Sequence, residues 1–587
     1  MSKPKAVRFG GSELLGRSLP AWRSRFVLLC LFLVFGGLIV RAGYLQVVSD
    51  EFLQKQGAKR MEMTLPLASV RGTLYDRRNR VLAQSVPAQT VWYDGRRVAA
   101  VSDASLRRLA VVLGMKPDAM IKKMRLDSKR AFVYLERQVE PDTAQKVKAL
   151  KIPGVGLIEE SKRYYPHGET MAHLVGFTDI GDKGQEGVEL AFNSKLTGSN
   201  GKRSVLRDRL GNVIEDLNQQ TPPVNGLDMV LSVDADVQYI VLSELKKAVE
   251  QHKAKAAAAV VLDAKTGELL AMANIPTYDP NSRGDLSGAK LRNRVFTDMF
   301  EPGSTLKPFT VALALNQGKV RPNTRVDTGN GRFAIGPAVV NDTKPHGVIS
   351  VEEVIQLSSN VGTSKIALDL ERKDMWDFFH MVGFGQSPSN AFPGASAGKV
   401  RPWARWYPIE QATMSYGHGI SVSLIQLAQA YTIFANKGMF VPVSLVKHDP
   451  AHPPVGRQVI RPEVADGMLH MLELASGAHG TAPKAQVQGY RVGGKTGTAH
   501  KQEGGRYINK YVSSYVGLAP VSDPRVVIAI MVDEPSAGMY YGGLVAAPVF
   551  SVIAKSVLSS LGVPPDALST PEPLRNHYVQ AAQGKAL

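Results

Sequence analysis

The chain contains little cysteine and no recognisable metal-binding pattern. Its single cysteine, Cys30, excludes a disulfide within the chain. The twelve histidines show no His-Glu-x-x-His or similar ligand spacing, so no metal or other cofactor is predicted. No nucleic-acid-binding module is recognisable, although the formal net charge is +19. Because the basic residues are spread along the chain, this charge indicates a solvated basic surface rather than nucleic-acid binding.

Long apolar runs are also scarce, and the most apolar one lies near the N-terminus. FVLLCLFLVFGGLIV, residues 26–40, is uninterrupted. The stretch 26–48 reaches the roughly 20 residues that a transmembrane helix needs if the Arg41 side chain extends to the interface. A cleavable signal peptide is the alternative, but no Ala-x-Ala site follows the run. The sequence therefore favours an uncleaved membrane anchor at 26–48.

The charges that flank this run predict its orientation. A single acidic residue, Glu13, precedes the run, against six basic residues: Lys3, Lys5, Arg8, Arg17, Arg23 and Arg25. Basic flanks stay in the cytoplasm, so residues 1–25 are predicted to be a cytoplasmic tail. We expect a single-pass inner-membrane protein whose remaining chain lies in the periplasm.

The rest of the chain divides into two folded parts and a tail. Residues 49–226 are predicted to form a mixed module of short strands and helices, with a hairpin at 70–86 and a polar linker at 218–226. Residues 227–565 show strands at both ends and helices between, which predicts an α+β domain with a largely antiparallel sheet flanked by helices. Residues 566–587 form a polar tail.

A serine and a lysine lie three residues apart in EPGSTLKPFT, residues 301–310. Ser-x-x-Lys occurs seven times in the chain, so the spacing alone is weak evidence. At Ser304 and Lys307, however, Pro302 and the apolar residues that follow predict a helix, which places both side chains on one face. A serine becomes a nucleophile when a base removes its proton, and lysine becomes a base when burial or a nearby cation lowers its pKa.

Two further patterns supply the groups that this chemistry needs. Lys495-Thr496-Gly497 continues into Thr498 within a predicted strand, where a glycine often marks close backbone approach by a ligand. Ser358 and Asn360 lie in a break between two predicted helices. Each pattern alone favours an ordinary turn or strand, but their order along the chain and their settings together predict an acyl-transfer serine enzyme.

This set of patterns resembles the S-x-x-K, S-D-N and K-T-G motifs of the penicillin-recognising serine enzymes. Longer strings resemble the division-specific class B penicillin-binding proteins of the FtsI type. They are RGTLYDR (71–77), KRYYPHGETMAHLVGFTD (162–179), EGVEL (186–190), RNRVFTDMFEPGSTLKPF (292–309) and YYGGLVAAPVF (540–550). The resemblance covers the anchor, a non-catalytic pedestal or dimerisation-type module, and a transpeptidase domain at 227–565.

The resemblance implies a D,D-transpeptidase that acts on peptidoglycan stem peptides ending in D-Ala-D-Ala. Its implied catalytic residues are Ser304 (nucleophile), Lys307 (base), Ser358 (proton relay), Asn360 (holding Lys307 and the substrate backbone) and Lys495 (positive field). Its implied substrate-binding residues are Thr496, Gly497, Thr498 and Tyr541. The backbone N–H groups of residues 304 and 498 would form the oxyanion hole, and β-lactams would acylate the serine.

The sequence departs from the family pattern at several positions. Gln356 and Leu357 precede the serine of the second motif, and Gly-His-Gly at 417–419 stands where Gly-Tyr-Gly is common. His500 and Lys501 follow Thr498-Ala499, where two basic residues are frequent in the family, which leaves the substrate contacts there open. We assign no chemistry to His418.

Several alternatives remain open. An elongation-type relative, a D,D-carboxypeptidase or β-lactamase-like hydrolase, and a non-catalytic β-lactam sensor or division scaffold all share the three motifs. The large module at 49–226 argues against a small secreted hydrolase. By resemblance, the expected partners are a membrane glycan polymerase of the FtsW type and other division proteins.

Overall fold

The structure of the protein, a computed structural model, describes residues 21–48, 62–207, 213–388 and 392–567. The polar tail predicted at 566–587 lies outside the described residues except for 566–567, and the cytoplasmic tail predicted at 1–25 except for 21–25, which belong to the first helix. Two compact units are present, Met1–Ser69 with Ser199–Val224 and Val70–Gly198 with Asn225–Leu587. The predicted domain boundary at residue 226 stays a prediction.

The described strands and helices are numbered here in chain order. The strands are β1 Glu62–Leu67, β2 Leu74–Tyr75, β3 Val81–Tyr93, β4 Val133–Val139, β5 Val155–Tyr164, β6 Gly201–Arg207, β7 Val213–Thr221, β8 Met229–Val230, β9 Ala256–Asp263, β10 Leu269–Ile275, β11 Arg325–Asp327, β12 Arg332–Ile335, β13 Ala338–Asn341, β14 Val348–Ser350, β15 Met439–Phe440, β16 Arg457–Gln458, β17 Gly493–Glu503, β18 Arg506–Ala519 and β19 Val526–Asp533. The α-helices are α1 Ala21–Gly43, α2 Gly95–Val98, α3 Asp103–Val112, α4 Pro117–Leu126, α5 Pro141–Ala149, α6 Ala172–Val175, α7 Gly187–Ala191, α8 Asn193–Leu196, α9 Ala235–His252, α10 Arg294–Thr297, α11 Lys307–Asn316, α12 Val351–Gln356, α13 Asn360–Leu368, α14 Arg372–Met381, α15 Pro408–Ser415, α16 Leu424–Ala435, α17 Pro462–Ser476 and α18 Gly542–Ser560.

The first unit contains the N-terminal apolar helix and a small sheet. Helix α1 continues into a π-helical turn at Tyr44–Val48, and the span Trp22–Gln46 is long and apolar enough to cross a membrane. Strands β1, β6 and β7 form an antiparallel sheet in that order. The linker predicted at 218–226 is wrong in its first half, because residues 218–221 belong to β7, whose Gln220 and Thr221 pair with β6. Cross-strand pairing here overrides the turn-forming composition of the segment.

In the second unit, strands from residues 70–198 and the short strand β8 form a sheet in the order β4-β3-β2-β8, with β5 pairing along β3. The hairpin predicted at 70–86 is confirmed, since β2 pairs antiparallel with β3 around a tight turn. The carboxylate of Asp76 accepts the backbone N–H groups of Arg78 and Arg80, each at 2.8 Å, which closes this turn. A buried ionic cluster joins Arg71 and Arg163 to Glu189.

A five-stranded sheet forms the centre of the second unit. Its order is β10-β9-β19-β18-β17, and every pairing is antiparallel, which confirms the predicted architecture. All residues of β9 and β19 are buried, so this sheet is covered on both faces.

Successive residues of a strand face opposite sides of the sheet, so each face of the sheet packs into its own hydrophobic core. Ala257, Ala259 and Val261 pack in one core with residues of α9 and α18. Ala258 and Val260 pack in the other with residues of α11 and α16. Helix α18 is mostly buried although it is long and apolar enough to cross a membrane. The sheet therefore holds α11 and β17 on a common rigid framework.

Candidate active site

Ser304 lies on a tight turn rather than in the first turn of an α-helix. Gly303–Leu306 form a 3-10 turn, and α11 begins at Lys307. The Gly303 N–H donates to Gly417 O at 3.2 Å, and Gly303 has a φ of +55°, a conformation that glycine adopts without strain. The Ser304 side chain is half-buried at the cavity wall, whereas the Lys307 side chain is completely buried.

The hydroxyl of Ser358 lies between two buried lysine amines. Its Oγ is 3.1 Å from Lys307 Nζ and 2.9 Å from Lys495 Nζ. Lys307 also donates to the carbonyl oxygen of Ser358. Among the described residues, no hydrogen bond joins Lys307 to Ser304, so the predicted serine–lysine contact is replaced by a contact to Ser358. A group in this position can pass a proton between the two amines and a bound substrate.

The backbone conformation of Ser358 supports a positional role. Its φ is +61°, the left-handed region that non-glycine residues rarely adopt. The residue occupies the break between α12 and α13, and its N–H donates to Ile355 O at 3.3 Å. A residue held in such a conformation is a candidate for function, because the surrounding structure must stabilise it.

The two amines have strongly lowered proton affinities. Burial, with the nearby charge of Lys495 as a second cause, holds the pKa of Lys307 well below its ordinary value. Burial lowers the pKa of Lys495 to about 7. The negative charge of Asp342 acts in the opposite direction and favours the protonated form of Lys307. Lys307 therefore loses its proton more readily than an ordinary lysine, as a general base requires.

Asp342 anchors the helix that follows Ser358, and no motif in the sequence predicted this role. Its carboxylate accepts the Ser359 hydroxyl at 2.6 Å and the backbone N–H groups of Asn360 and Val361. A carboxylate at a helix N-terminus satisfies N–H groups that lack a partner within the helix. The sequence gives no signal for this contact, because Asp342 lies in a loop 18 residues before Asn360.

Asn360 lines the cavity, but its hydrogen bond differs from the predicted one. Its Nδ2 donates to Asn341 O at 2.8 Å. The sequence predicted that this amide holds Lys307, but in the described part of the chain no hydrogen bond joins the two side chains. Asn360 remains placed to meet a substrate, since it forms part of the cavity wall beside Ser358.

Strand β17 supplies the side chains on the opposite side of the cavity. Thr496 Oγ1 donates to Thr481 Oγ1 at 3.1 Å, and Thr498 Oγ1 accepts the N–H of Gly542 at 3.0 Å. Each threonine hydroxyl is therefore held by a neighbouring segment before any ligand arrives. Thr481 precedes the 3-10 turn Pro483–Ala485, and only its position beside Thr496 marks it as part of the site.

Gly497 permits close packing within the chain itself. A Cβ at this position would lie 2.4 Å from Ser514 Oγ and 2.7 Å from Pro302 O. The sequence predicted close backbone approach by a ligand at this glycine. In the structure, the turn that carries Ser304 makes this close approach instead. The absence of a side chain brings that turn against β17, and Gly497 does not line the cavity.

These elements enclose a cavity of about 520 Å³. The predicted residues on its wall are Ser304, Ser358, Asn360, Thr496, Thr498 and Tyr541. The buried amines of Lys307 and Lys495 lie behind the hydroxyl of Ser358. The described residues contain no group of three or more His, Cys, Asp or Glu side chains that could hold a metal ion.

An aromatic stack borders this cavity, and Tyr541 is the member of it that was predicted as a site residue from the sequence. Tyr540 stacks on Tyr541 with ring centroids 4.6 Å apart and on Tyr511 at 4.1 Å. His500 lies 4.5 Å from the Tyr511 ring. Such a stack offers a rigid surface to an apolar ligand group.

Known families match both parts of the chain. Residues 257–555 match the penicillin binding protein transpeptidase domain, and residues 66–231 match the penicillin-binding protein dimerisation domain. A probable peptidoglycan D,D-transpeptidase, PenA, of Neisseria meningitidis is 43% identical over 92% of this chain and 93% of its own length. The peptidoglycan D,D-transpeptidase FtsI of Escherichia coli is 39% identical over 95% of each chain.

Solved structures give the same result. The apo transpeptidase domain of Burkholderia pseudomallei penicillin-binding protein 3 is 49% identical, covers 57% of this chain and 98% of its own, and superposes with a TM-score of 0.54. A peptidoglycan synthetase from Bifidobacterium adolescentis is 26% identical, covers 86% of this chain and 98% of its own, and has a TM-score of 0.69. The chain therefore belongs to the penicillin-binding proteins. Within them, it belongs to class B, of the FtsI/PenA type.

The burial of Lys495 predicts a pH-dependent cost in stability. Its pKa is about 7 in the folded protein and about 10.4 in an unfolded chain. The charged form is therefore disfavoured by folding, and this cost is full below pH 7 and disappears as the pH rises toward 10. We expect Lys495→Met to stabilise the protein by on the order of 4 kcal/mol at pH 6 and by little at pH 10.

Thermal unfolding of the full-length protein in detergent at both pH values measures this difference. Lys484→Met is the control, because this lysine lies at the cavity wall but is exposed, and we expect little change. A Lys495→Met protein that unfolds at or below the wild-type temperature at pH 6 would contradict the prediction.

Proposed function

We propose that the chain is a peptidoglycan D,D-transpeptidase that cross-links stem peptides at the division septum through an acyl-enzyme on Ser304. The named relatives, PenA and FtsI, support this reaction and its role in division. The observation that supports the chemistry is that the hydroxyl of Ser358 lies within hydrogen-bond distance of two buried lysine amines. Ser358 lines the same cavity as Ser304.

Acylation begins with attack of Ser304 Oγ on the carbonyl carbon of the penultimate D-Ala. Lys307 accepts the serine proton as the new C–O bond forms, because burial and Lys495 keep its amine neutral. The contact needed between Lys307 and Ser304 forms as the substrate enters, since catalytic hydrogen bonds often tighten only in the substrate complex. The backbone N–H groups of Ser304 and Thr498 stabilise the oxyanion.

The tetrahedral intermediate then expels the terminal D-Ala as a free amine. The proton taken by Lys307 passes through the Ser358 hydroxyl to the leaving nitrogen, and the C–N bond breaks. The relay is supported by the 3.1 Å separation of Lys307 Nζ and Ser358 Oγ. An ester between Ser304 and the donor stem peptide remains.

The terminal carboxylate of the substrate is bound at the β17 side of the cavity. Thr496 and Thr498 offer their hydroxyls there, and Tyr541 borders the same space. Lys495 supplies the positive charge, and a bound carboxylate raises the pKa of this lysine because an opposite charge favours its protonated form. Substrate binding therefore strengthens the field that keeps Lys307 neutral.

Cross-linking follows when an amine of a neighbouring stem peptide attacks the ester. The new amide bond forms, the ester C–O bond breaks, and the amine proton returns to Ser304 Oγ through Lys307. A β-lactam acylates Ser304 by the same first step, but its ring-opened amine stays attached and blocks the second one.

Labelling with fluorescent penicillin tests the roles of the serine and the lysine. We expect Ser304→Ala to abolish the covalent adduct and Lys307→Ala to slow its formation by at least about 100-fold, without unfolding the domain. Ser243→Ala is the matched control, because Ser243 and Lys246 form the same spacing on α9, away from the cavity. Equal labelling of Lys307→Ala and wild type would refute the assignment of the base.

Product analysis separates the transpeptidase from the alternative functions. Incubation with nascent glycan strands that carry pentapeptide stems should give dimeric muropeptides that depend on Ser304. Release of D-Ala without dimers would instead indicate a carboxypeptidase. Formation of the penicillin adduct with no turnover of stem peptides would indicate a sensor or scaffold.

We also propose that α1 anchors the protein in the inner membrane, with its N-terminus in the cytoplasm and the catalytic domain in the periplasm. The helix is apolar and exposed along its length, as a lipid-facing span requires. An elongation-type transpeptidase would catalyse the same reaction with a different partner protein. The partner therefore distinguishes an elongation role from a division role.

The proposed division partner is a glycan polymerase of the FtsW type, bound through the anchor and the 49–226 module. Co-purification with FtsW should be retained by the full chain and by Ser304→Ala, which changes only the cavity. It should be lost when the 49–226 module is removed. Undiminished association of the deletion variant would refute a role for the module in this contact.

A further inference from the structure

Glu301 lies three residues before Ser304 and outside the three sequence motifs. Its Oε1 accepts the backbone N–H of Gly419 at 2.9 Å, the Tyr507 hydroxyl at 3.0 Å and Gln502 Nε2 at 3.2 Å. The second carboxylate oxygen also accepts the Tyr507 hydroxyl, at 3.1 Å. One partly buried side chain therefore binds donors from three positions that are distant in the sequence.

The three donors belong to two different walls of the active site. Gly419 ends the Gly-His-Gly loop, whose Gly417 contacts the turn carrying Ser304. Gln502 and Tyr507 belong to the tip of the β17–β18 hairpin, residues 501–508. Glu301 lies between these walls and directly precedes the turn of the nucleophile.

The hairpin tip has little other means of support on this side. Residues 502–507 are all exposed, and the Tyr507 ring makes only loose contacts, with its centroid 6.4 Å from that of His418 and 6.5 Å from that of His500. The register shifts between His500 and Lys501, where the tip leaves the regular part of the sheet. Lys501 is held from another direction by the carboxylates of Asp533 and Glu534, each at 2.7 Å.

The position of the tip defines one side of the active site. A recess of about 350 Å³ is lined by His418, His500 and Tyr507 together with residues 508 and 509. The two histidines also line the cavity that contains Ser304. Movement of the tip away from Glu301 would therefore open the wall that the two spaces share.

We propose that Glu301 is a positioning residue for the acyl-transfer reaction, which fixes the hairpin tip and the Gly-His-Gly loop against the turn that carries Ser304. The inference rests on the proposed function of Ser304 as the nucleophile. Glu301 acts through other residues in this role: its acceptor oxygens set the width of the cleft and the orientation of the serine turn.

Substitutions at Glu301 and at its hydroxyl partner test this role. Hydrogen bonds to a charged acceptor are strong, so we expect Glu301→Ala to slow acylation of the full-length protein by fluorescent penicillin at least about tenfold. Tyr507→Phe removes one donor and should slow it about threefold. In the double variant the two effects should not multiply, since both remove the same contact.

A second readout follows the hairpin tip itself. Arg506 is exposed at the tip and is a site for trypsin. In Glu301→Ala and Tyr507→Phe we expect cleavage after this arginine to become several-fold faster, while the thermal unfolding temperature stays close to that of wild type. If Glu301 only stabilised the fold, its substitution would instead lower the unfolding temperature, and trypsin would not cleave preferentially after Arg506.

Lys510→Ala is the control, because it removes the ion pair with Glu534 at 2.8 Å on the part of the hairpin that does not contact Glu301. We expect its acylation rate to remain within about twofold of wild type, as for an exposed ion pair. Wild type that forms no adduct would refute the proposed function, whereas Glu301→Ala that acylates within twofold of wild type would refute the positioning role alone.

If Glu301→Ala does not fold, the paired variant Gln502→Ala with Tyr507→Phe decides the question. Both changes lie at exposed positions of the tip and remove two of the three donors. A threefold or larger slowing of acylation supports the positioning role, and a smaller change refutes it.

Discussion

The chemistry of this protein depends on two lysine amines that share one serine hydroxyl in a buried site. Lys307 and Lys495 are completely buried, and both approach Ser358 Oγ within hydrogen-bond distance. Burial lowers the pKa of both amines, and the charge of Lys495 lowers that of Lys307 further. The same burial that costs stability thereby creates a neutral base, and the remaining cation attracts a carboxylate.

The scaffold keeps these groups together through close backbone contacts rather than through the motifs themselves. Gly497 lets β17 approach the turn of Ser304, and Gly417 lets the Gly-His-Gly loop approach the same turn. A side chain at either position would meet backbone atoms at less than 3 Å. Behind these contacts, the sheet has a hydrophobic core on each face, so the amines and the nucleophile are mounted on elements that do not move independently.

Several polar side chains outside the motifs complete this arrangement. Asp342 fixes the helix that begins at Asn360, and Thr481 fixes the hydroxyl of Thr496. Glu301 links the nucleophile's turn to the hairpin at the edge of the cavity. Each residue lies in a loop or turn of ordinary composition, and each gains its importance only from the group that it contacts.

The sequence alone determined the order of the elements and the chemical types at the site. Apolar segments predicted strands at both ends of the 227–565 domain, because a strand buried on both faces is apolar along its length. Spacing placed the side chains of Ser304 and Lys307 on one face of a predicted helix. The tertiary structure alone decided that the Lys307 amine meets Ser358 rather than Ser304, and that Asp342, Thr481 and Glu301 take part. The physical reason is that burial, pKa and hydrogen-bond partners depend on residues far apart in the chain, which local periodicity cannot bring together.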